Sequence, residues 1–207
     1  MIRVHHLNNS RSQRVLWLLE ELGVPYEIVK HTRDTTTNLA PDSLKEIHPL
    51  GKSPVIEDDG AVVIESGAIL EYLTRKYGKG RLAPPEGTPE ALQYLQLMHY
   101  AEGSAMLPVM LRLYLSRLGE AGKPLEPRVT SELDTHLGYL DSQLGSGDFF
   151  VGKELSAADI NLSFVVQAAR MLYGLDRFPN LKRFIDKAQA RPAYRRALEK
   201  GGAYAFG

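Results

Sequence analysis

Two serines and two arginines crowd into NNSRSQR, residues 8 to 14, immediately ahead of an apolar helix pattern. Ser10 and Ser12 bring hydroxyls, and Arg11 and Arg14 bring positive charge. The start of a helix adds N–H groups and the positive end of its dipole, a combination suited to an anion. Ser10 equally suits a plain N-cap, with Gln13 three residues on completing a capping box. Two more pieces carry usable chemistry: Lys52 and Ser53 in LGKSPVI, and Glu65 and Ser66 in ESGAILEYL. A proline that opens a strand, as Pro54 does, can follow a cis bond that turns the preceding backbone outward. Ser53 would then offer its N–H and C=O to an extended peptide, as an added strand would. Glu65 suits an ammonium, the helix start at Ser66 a carboxylate, and Lys52 a second carboxylate. These residues together suit a short peptide with a carboxylate at each end and an ammonium at one.

The elements that must position them follow from periodicity. IRVHHL reads as a strand; residues 12 to 23 read as a helix, with Val15, Leu18, Leu19 and Leu22 on one face and Gly23 before Pro25 ending it. YEIVKH is a second strand, which makes a βαβ unit. A Thr-rich loop and a short helix near residues 44 to 47 lead to two β-branched runs around Asp59-Gly60, a pair that favours a tight hairpin turn. A helix with Ala68, Ile69, Tyr72 and Leu73 on one face completes βαβ–ββα by residue 80. Residues 81 to 88 are rich in Pro and Gly and read as a linker. Thr88 caps a helix with Pro89 at its first position. Residues 89 to 207 then read as all helical, with segments over 89–118, 127–145, 156–172, 179–190 and 192–200, and with Pro108 expected to kink the first. The fold class is therefore α/β followed by all-α. In LSAADI, Ser156 and Asp159 form a capping box, so Asp159 reads as structural rather than as a catalytic acid.

Composition narrows the chemistry. The 207 residues contain no Cys, which rules out disulfides, an enzyme-borne thiol nucleophile and Cys-based metal sites. Any sulfur chemistry must use a sulfur brought by a ligand. Lys plus Arg and Asp plus Glu both number 25 with no basic block, which argues against nucleic acid. The N-terminal apolar run is too short for a signal peptide, and no stretch reaches the ~18 apolar residues of a membrane span. A cytoplasmic protein without a metal is the expectation. His5 and His6 sit on a strand, one expected to face the core and the other the first helix or solvent. Tyr100, Met106, Met110 and Tyr114 lie at helical spacing; such residues are usually core, but their types also suit an adaptable apolar cleft.

GKSPVI followed by ESGAILEYL, together with LSAADI, resembles the glutathione transferase superfamily across the whole chain. The resemblance implies a thioredoxin-like N-terminal domain (1–80), a helical domain (89–207) contributing a second-substrate pocket, and a homodimer joined through the third and fourth helices. Ser10 with Arg14 four residues later is similar to the serine-type, bacterial-like members, in which the serine hydrogen-bonds the glutathione sulfur. By the same likeness Lys52 matches the contact to the glycine carboxylate, Ser53 the backbone contact, and Glu65 and Ser66 the γ-glutamyl contacts. The stretch His-Leu-Asn-Asn stands where tyrosine-using relatives carry their Tyr, and Leu39 where some serine-type relatives carry a histidine, so the glycine end rests more on Lys52, with Asn38 as a further candidate. Ser12 and the backbone amides of the helix start are alternatives to Ser10 as the activating group. The implied activity is transfer of glutathione to apolar electrophiles in detoxification, or reduction of peroxides with it. A non-catalytic interaction protein of the same fold, or a glutathione-dependent isomerase or dehalogenase, are the other readings.

Overall fold

The structure, a computed structural model, describes residues 1 to 206. It forms two compact units, one made of Met1–Leu82 together with the segment from Gln189, the other of Ala83–Ala188. In the first unit the order is β1 (Ile2–Leu7), α1 (Ser12–Leu22), β2 (Tyr26–His31), α2 (Ser43–Ile47), β3 (Val55–Asp58), β4 (Ala61–Ile64) and α3 (Ser66–Tyr77). The sheet order is β2-β1-β3-β4, with β1 parallel to β2 and antiparallel to β3, and β3 antiparallel to β4. The β3–β4 hairpin turns on Asp59 (φ 48°) and Gly60 (φ 79°), the two positive φ values that a two-residue turn of matching twist requires.

Helix α1 is buried on nearly every side, from Ser12 to Glu20 and again at Leu22. The sheet and α3 cover part of it, and α9 (Pro192–Gly201) packs along α1 as well. Tyr194 meets Trp17 edge-on at 5.2 Å between ring centroids. Arg191 holds Glu21 at 2.6 Å, and Glu20 receives Arg196 at 2.8 Å, Lys200 and the Tyr26 hydroxyl. These contacts carry the segment from Gln189 into the first unit, whereas the sequence placed everything from residue 89 onward in the helical domain. The apolar stripe of α1 told of one buried face. The other face, with Leu16 and Trp17, is buried because a distant helix covers it.

In the second unit, α4 (Pro89–Tyr100) opens with Thr88 as N-cap, its hydroxyl accepting from Ala91 N–H at 3.2 Å. A π-helical turn over Ala101–Ala105 separates α4 from α5 (Met106–Leu118), so the single kinked helix expected over 89–118 is two helices. Pro108 has no N–H to give the carbonyl one turn earlier, and its ring crowds that carbonyl; the wider turn lies where that strain falls. After a 3₁₀ segment, Gly119–Leu125, come α6 (Glu126–Leu144), α7 (Ala157–Leu172) and α8 (Pro179–Gln189). Helix α7 is buried from Ala157 through Ala169. Its capping box is complete: Ser156 Oγ accepts from Asp159 N–H, and Asp159 Oδ2 accepts from Ser156 N–H at 2.8 Å. Asp159 also accepts from Phe150 N–H at 2.7 Å, and burial still pushes its carboxyl up to about 6. No helix among the described residues is long and apolar enough to cross a membrane.

Candidate functional site

The end of β1 and the start of α1 bring three polar side chains into line. Ser10 Oγ lies 2.8 Å from Ser12 Oγ, which lies 2.8 Å from His6 Nδ1. Ser12 has no exposed surface, so a ligand cannot touch its hydroxyl; Ser10, at 5% exposure, is the outer hydroxyl of the pair. His6 is held neutral: burial first, then the charges of Lys30 and His31, lower its pKa to about 4.

The expected capping box at α1 does not form. Ser10 Oγ accepts from Ser12 N–H at 3.2 Å rather than from a residue three positions on, and the Gln13 amide makes no hydrogen bond. Gln13 N–H reaches Ser10 O at 3.4 Å and Arg14 N–H reaches Arg11 O at 3.2 Å. The N–H groups of Ser12, Gln13 and Arg14 are therefore engaged within the turn, which removes the bare amides that the sequence pattern suggested for an anion. What α1 still presents is the Ser10 hydroxyl.

Helix α3 differs. Its N-cap is Glu65, exposed and at φ 67°, with no side-chain bond closing the first turn. The N–H groups at the start of a helix have no carbonyl one turn earlier to take them, so those of Ser66, Gly67 and Ala68 are the donors α3 offers. Ser66 is buried, and its Oγ accepts from Arg14 Nη2 at 2.9 Å, which joins the two helix starts. Arg14 is itself 2% exposed. It lies one residue before Val15 and four before Leu18, on the apolar stripe, and an arginine on such a stripe needs a buried partner; that was the signal for it.

Between these helices in sequence, the Ser53–Pro54 bond is cis. Ser53 Oγ donates to His5 O at 2.9 Å, fixing this stretch beside β1. Lys52 is exposed next to it. Leu39 is 64% exposed, and Asn38, also exposed, holds a positive φ of 58° in a turn that Asp34 closes by accepting from the N–H groups of Thr36 and Thr37. Arg33 secures the loop before α1, its side chain donating to Asn8 O at 3.1 Å and to Asn9 O at 3.3 Å. Ala205 N–H donates to Asn9 Oδ1 at 2.7 Å, bringing the chain's last turn to the same loop.

Both histidines of β1 turn out to be buried and hydrogen-bonded. His5 Nε2 lies 2.8 Å from Glu57 and its Nδ1 lies 3.1 Å from His31, while His6 takes part in the serine line on the opposite face. Solvent was one of the places expected for this pair; His5 is 1% and His6 4% exposed, so neither reaches it. In the second unit, Met106 is core at 2% exposure and Tyr114 is 52% exposed. The Tyr100 hydroxyl lies 2.6 Å from His136 Nδ1, and burial raises its pKa to about 12. Among the described residues no cluster of His, Asp and Glu could hold a metal ion.

A βαβ–ββα unit with a hydroxyl at one helix start, open donors at another and a cis-proline stretch between them in sequence is followed by a helical unit. The family models for the glutathione S-transferase N-terminal domain and C-terminal domain match residues 1–75 and 116–200. Glutathione S-transferase 3 of Schizosaccharomyces pombe is 37% identical over 97% of this chain and 88% of its own length. A crystal structure of a glutathione S-transferase from Actinobacillus pleuropneumoniae superposes with a TM-score of 0.91 at 30% identity, covering 100% of this chain and 95% of the other. A glutathione transferase family member from Pseudomonas fluorescens, solved with two glutathione bound, has a TM-score of 0.81 at 29% identity, covering 96% and 92%. The chain belongs to the glutathione S-transferase family.

Proposed function

We propose that the first unit binds glutathione and holds its sulfur as a thiolate through a hydrogen bond from Ser10, for transfer to apolar electrophiles. The observation that carries this reading is the division at the start of α1: its first amides are engaged, Ser12 is sealed at 0% exposure, and Ser10, buried but 5% exposed, is the less enclosed of the two hydroxyls. The thiolate is the nucleophile, and a free thiol near pKa ~8.5 is only about 3% ionised at pH 7. A fall of about two units raises that to roughly three quarters, for about 2.7 kcal/mol of preferential stabilisation of the anion. A charge-assisted hydrogen bond is worth ~1.5–3 kcal/mol, so one well-placed hydroxyl supplies most of it. In the reaction the sulfur lone pair forms the bond to carbon, the leaving group departs with its electron pair, and the thiol proton goes to solvent. Ser10 stays a donor throughout and forms no covalent bond.

In the same reading Lys52 meets the glycine carboxylate, Ser53 offers its backbone to the cysteinyl residue, and Glu65, Ser66 and the open amides of α3 hold the γ-glutamyl end. Tyr100, Met110 and Tyr114 serve the apolar electrophile, with Met106 as the core behind them. Leu92 and Leu95, both exposed on α4, suit the homodimer that the family resemblance implies. The experiment is direct. Glutathione binding measured by calorimetry, followed by conjugation rates across a panel of aryl halides, enals and organic hydroperoxides, should give binding and turnover with at least one class. Binding without turnover would leave an interaction protein, and no binding would remove the reading.

A further inference from the structure

Ser12 Oγ has more neighbours than it has protons. It lies 2.8 Å from Ser10 Oγ, 2.8 Å from His6 Nδ1, and 3.3 Å from both Leu7 N and Leu7 O. A hydroxyl owns one proton and two lone pairs. Leu7 N–H fills one lone pair, so the two short contacts must be served by the one proton and the one remaining lone pair. His6, neutral at physiological pH, carries its own proton on a single nitrogen. The tautomer of His6 therefore decides the direction of the whole line.

If the proton is on Nε2, bare Nδ1 takes the Ser12 proton, Ser12 must accept from Ser10, and Ser10 is left with a lone pair facing outward. A lone pair there repels a thiolate. If the proton is on Nδ1, His6 donates to Ser12 and fills its second lone pair. Ser12 then gives its proton to Ser10, which is closer than Leu7 O. Ser10 now accepts twice, from Ser12 O–H and from Ser12 N–H at 3.2 Å, and its own proton is free to point outward. We propose that His6 is a positioning residue for Ser10, and that its Nδ1–H tautomer is the form in which Ser10 donates to a bound sulfur.

This rests on the reading of Ser10 as the thiolate donor and adds what turns that hydroxyl the right way. The tautomer leaves Nε2 bare, so it needs a donor or an open space beside it. A Cβ at Gly201 would stand 3.3 Å from His6 Nε2 and 2.8 Å from Gln13 Oε1, so the glycine keeps open a space that both groups border. The Gln13 amide makes no hydrogen bond as placed, and exchanging its oxygen and nitrogen would turn N–H rather than oxygen toward that space.

The test is ¹⁵N NMR of the histidine ring nitrogens in the full chain saturated with glutathione, with the His6 signals assigned by their loss in His6→Asn. The expected result is a protonated Nδ1 and a bare Nε2. Beside it, the thiol of bound glutathione is titrated by its ultraviolet absorbance. His6→Leu, which has no donor, should lower the thiolate-to-thiol ratio at fixed pH about three- to tenfold. His6→Asn, whose amide N–H can stand where Nδ1–H stands, should stay within about twofold of wild type. A purely structural His6 would reduce stability in both variants and shift neither titration. A proton on Nε2 in the bound wild type overturns the proposal, and so does a wild-type titration in His6→Leu or an equal loss in both variants. Should His6→Leu fail to fold, the tautomer of the wild type decides alone. An unchanged titration in Ser10→Ala instead removes the reading of Ser10 itself, whichever tautomer His6 shows.

Discussion

Arg14 Nη2 donates to Ser66 Oγ at 2.9 Å, and both residues are buried, so the first turns of α1 and α3 are tied by a single guanidinium. Replacing Arg14 with Met keeps much of the volume and leaves Ser66 without its donor. Unfolding free energy from urea denaturation should fall by about 1–3 kcal/mol. Glutathione affinity should fall as well, because the α3 start is no longer oriented. Unchanged affinity in a destabilised protein would confine Arg14 to a structural role.

Ser10 and Ser12 differ in what they can reach, and their variants should differ accordingly. Ser10→Ala should raise the thiol pKa of bound glutathione by one to two units, on the order of the ~1.5–3 kcal/mol of a charged hydrogen bond. Ser12→Ala should raise it by less, since Ser12 is sealed from ligand and Ser10 keeps its own proton. Thiolate absorbance against pH checks both. A larger shift in Ser12→Ala than in Ser10→Ala would move the donor inward.

At the other end of the proposed ligand, Lys52 is an exposed ammonium beside the cis-proline stretch. Lys52→Ala should weaken glutathione binding by at most ~1.5–3 kcal/mol, the range for a charged hydrogen bond. Glutathione amidated at its glycine should show that loss with the wild type and little further loss with the variant. A full additional loss would place the carboxylate on another residue.

Glu20 provides a pH test of the packing between α9 and α1. Burial alone would raise its pKa, but hydrogen bonds from Lys200, Arg196 and Tyr26 hold it below 4.5. A carboxyl depressed in the folded state contributes fully above its unfolded pKa, and the contribution disappears as pH falls through the folded value. Glu20→Gln should therefore cost about 1–3 kcal/mol near neutral pH, and its deficit against wild type should close as pH drops below the usual glutamate range. Denaturation midpoints across that range report it. A deficit independent of pH would mean that shape, not charge, holds α9.

Where the demand on an element was local, the sequence was a good guide. β1 at 2–7, β2 at 26–31 and the Asp59-Gly60 hairpin stand where the sequence put them, because a short strand bounded by breakers and a turn of positive φ are specified by neighbouring residues. The capping box at Ser156 and Asp159 was equally legible, since a box is written in four residues. What escaped depended on residues far along the chain. Gln13 looked like the partner of Ser10, yet the turn preferred to bond Ser12 N–H to that hydroxyl. His6 looked like an ordinary strand residue because its partner lies across the strand–helix junction, on a side chain the pattern had assigned to the helix start. The membership of α9 in the first unit rests on pairs such as Glu21 with Arg191, which no local rule connects.

The union of α1 and α9 makes the first unit a structure that only the segment from Gln189 onward completes. A ribosome that has released residues 1 to 82 has made every strand of the sheet and three of its helices, yet Leu16 and Trp17 still have no cover. The unit stays unfinished while the whole intervening helical unit is synthesised. The aromatic face of α1 is thus the surface this protein must keep from other chains during synthesis, and Tyr194 is the residue whose arrival ends that exposure.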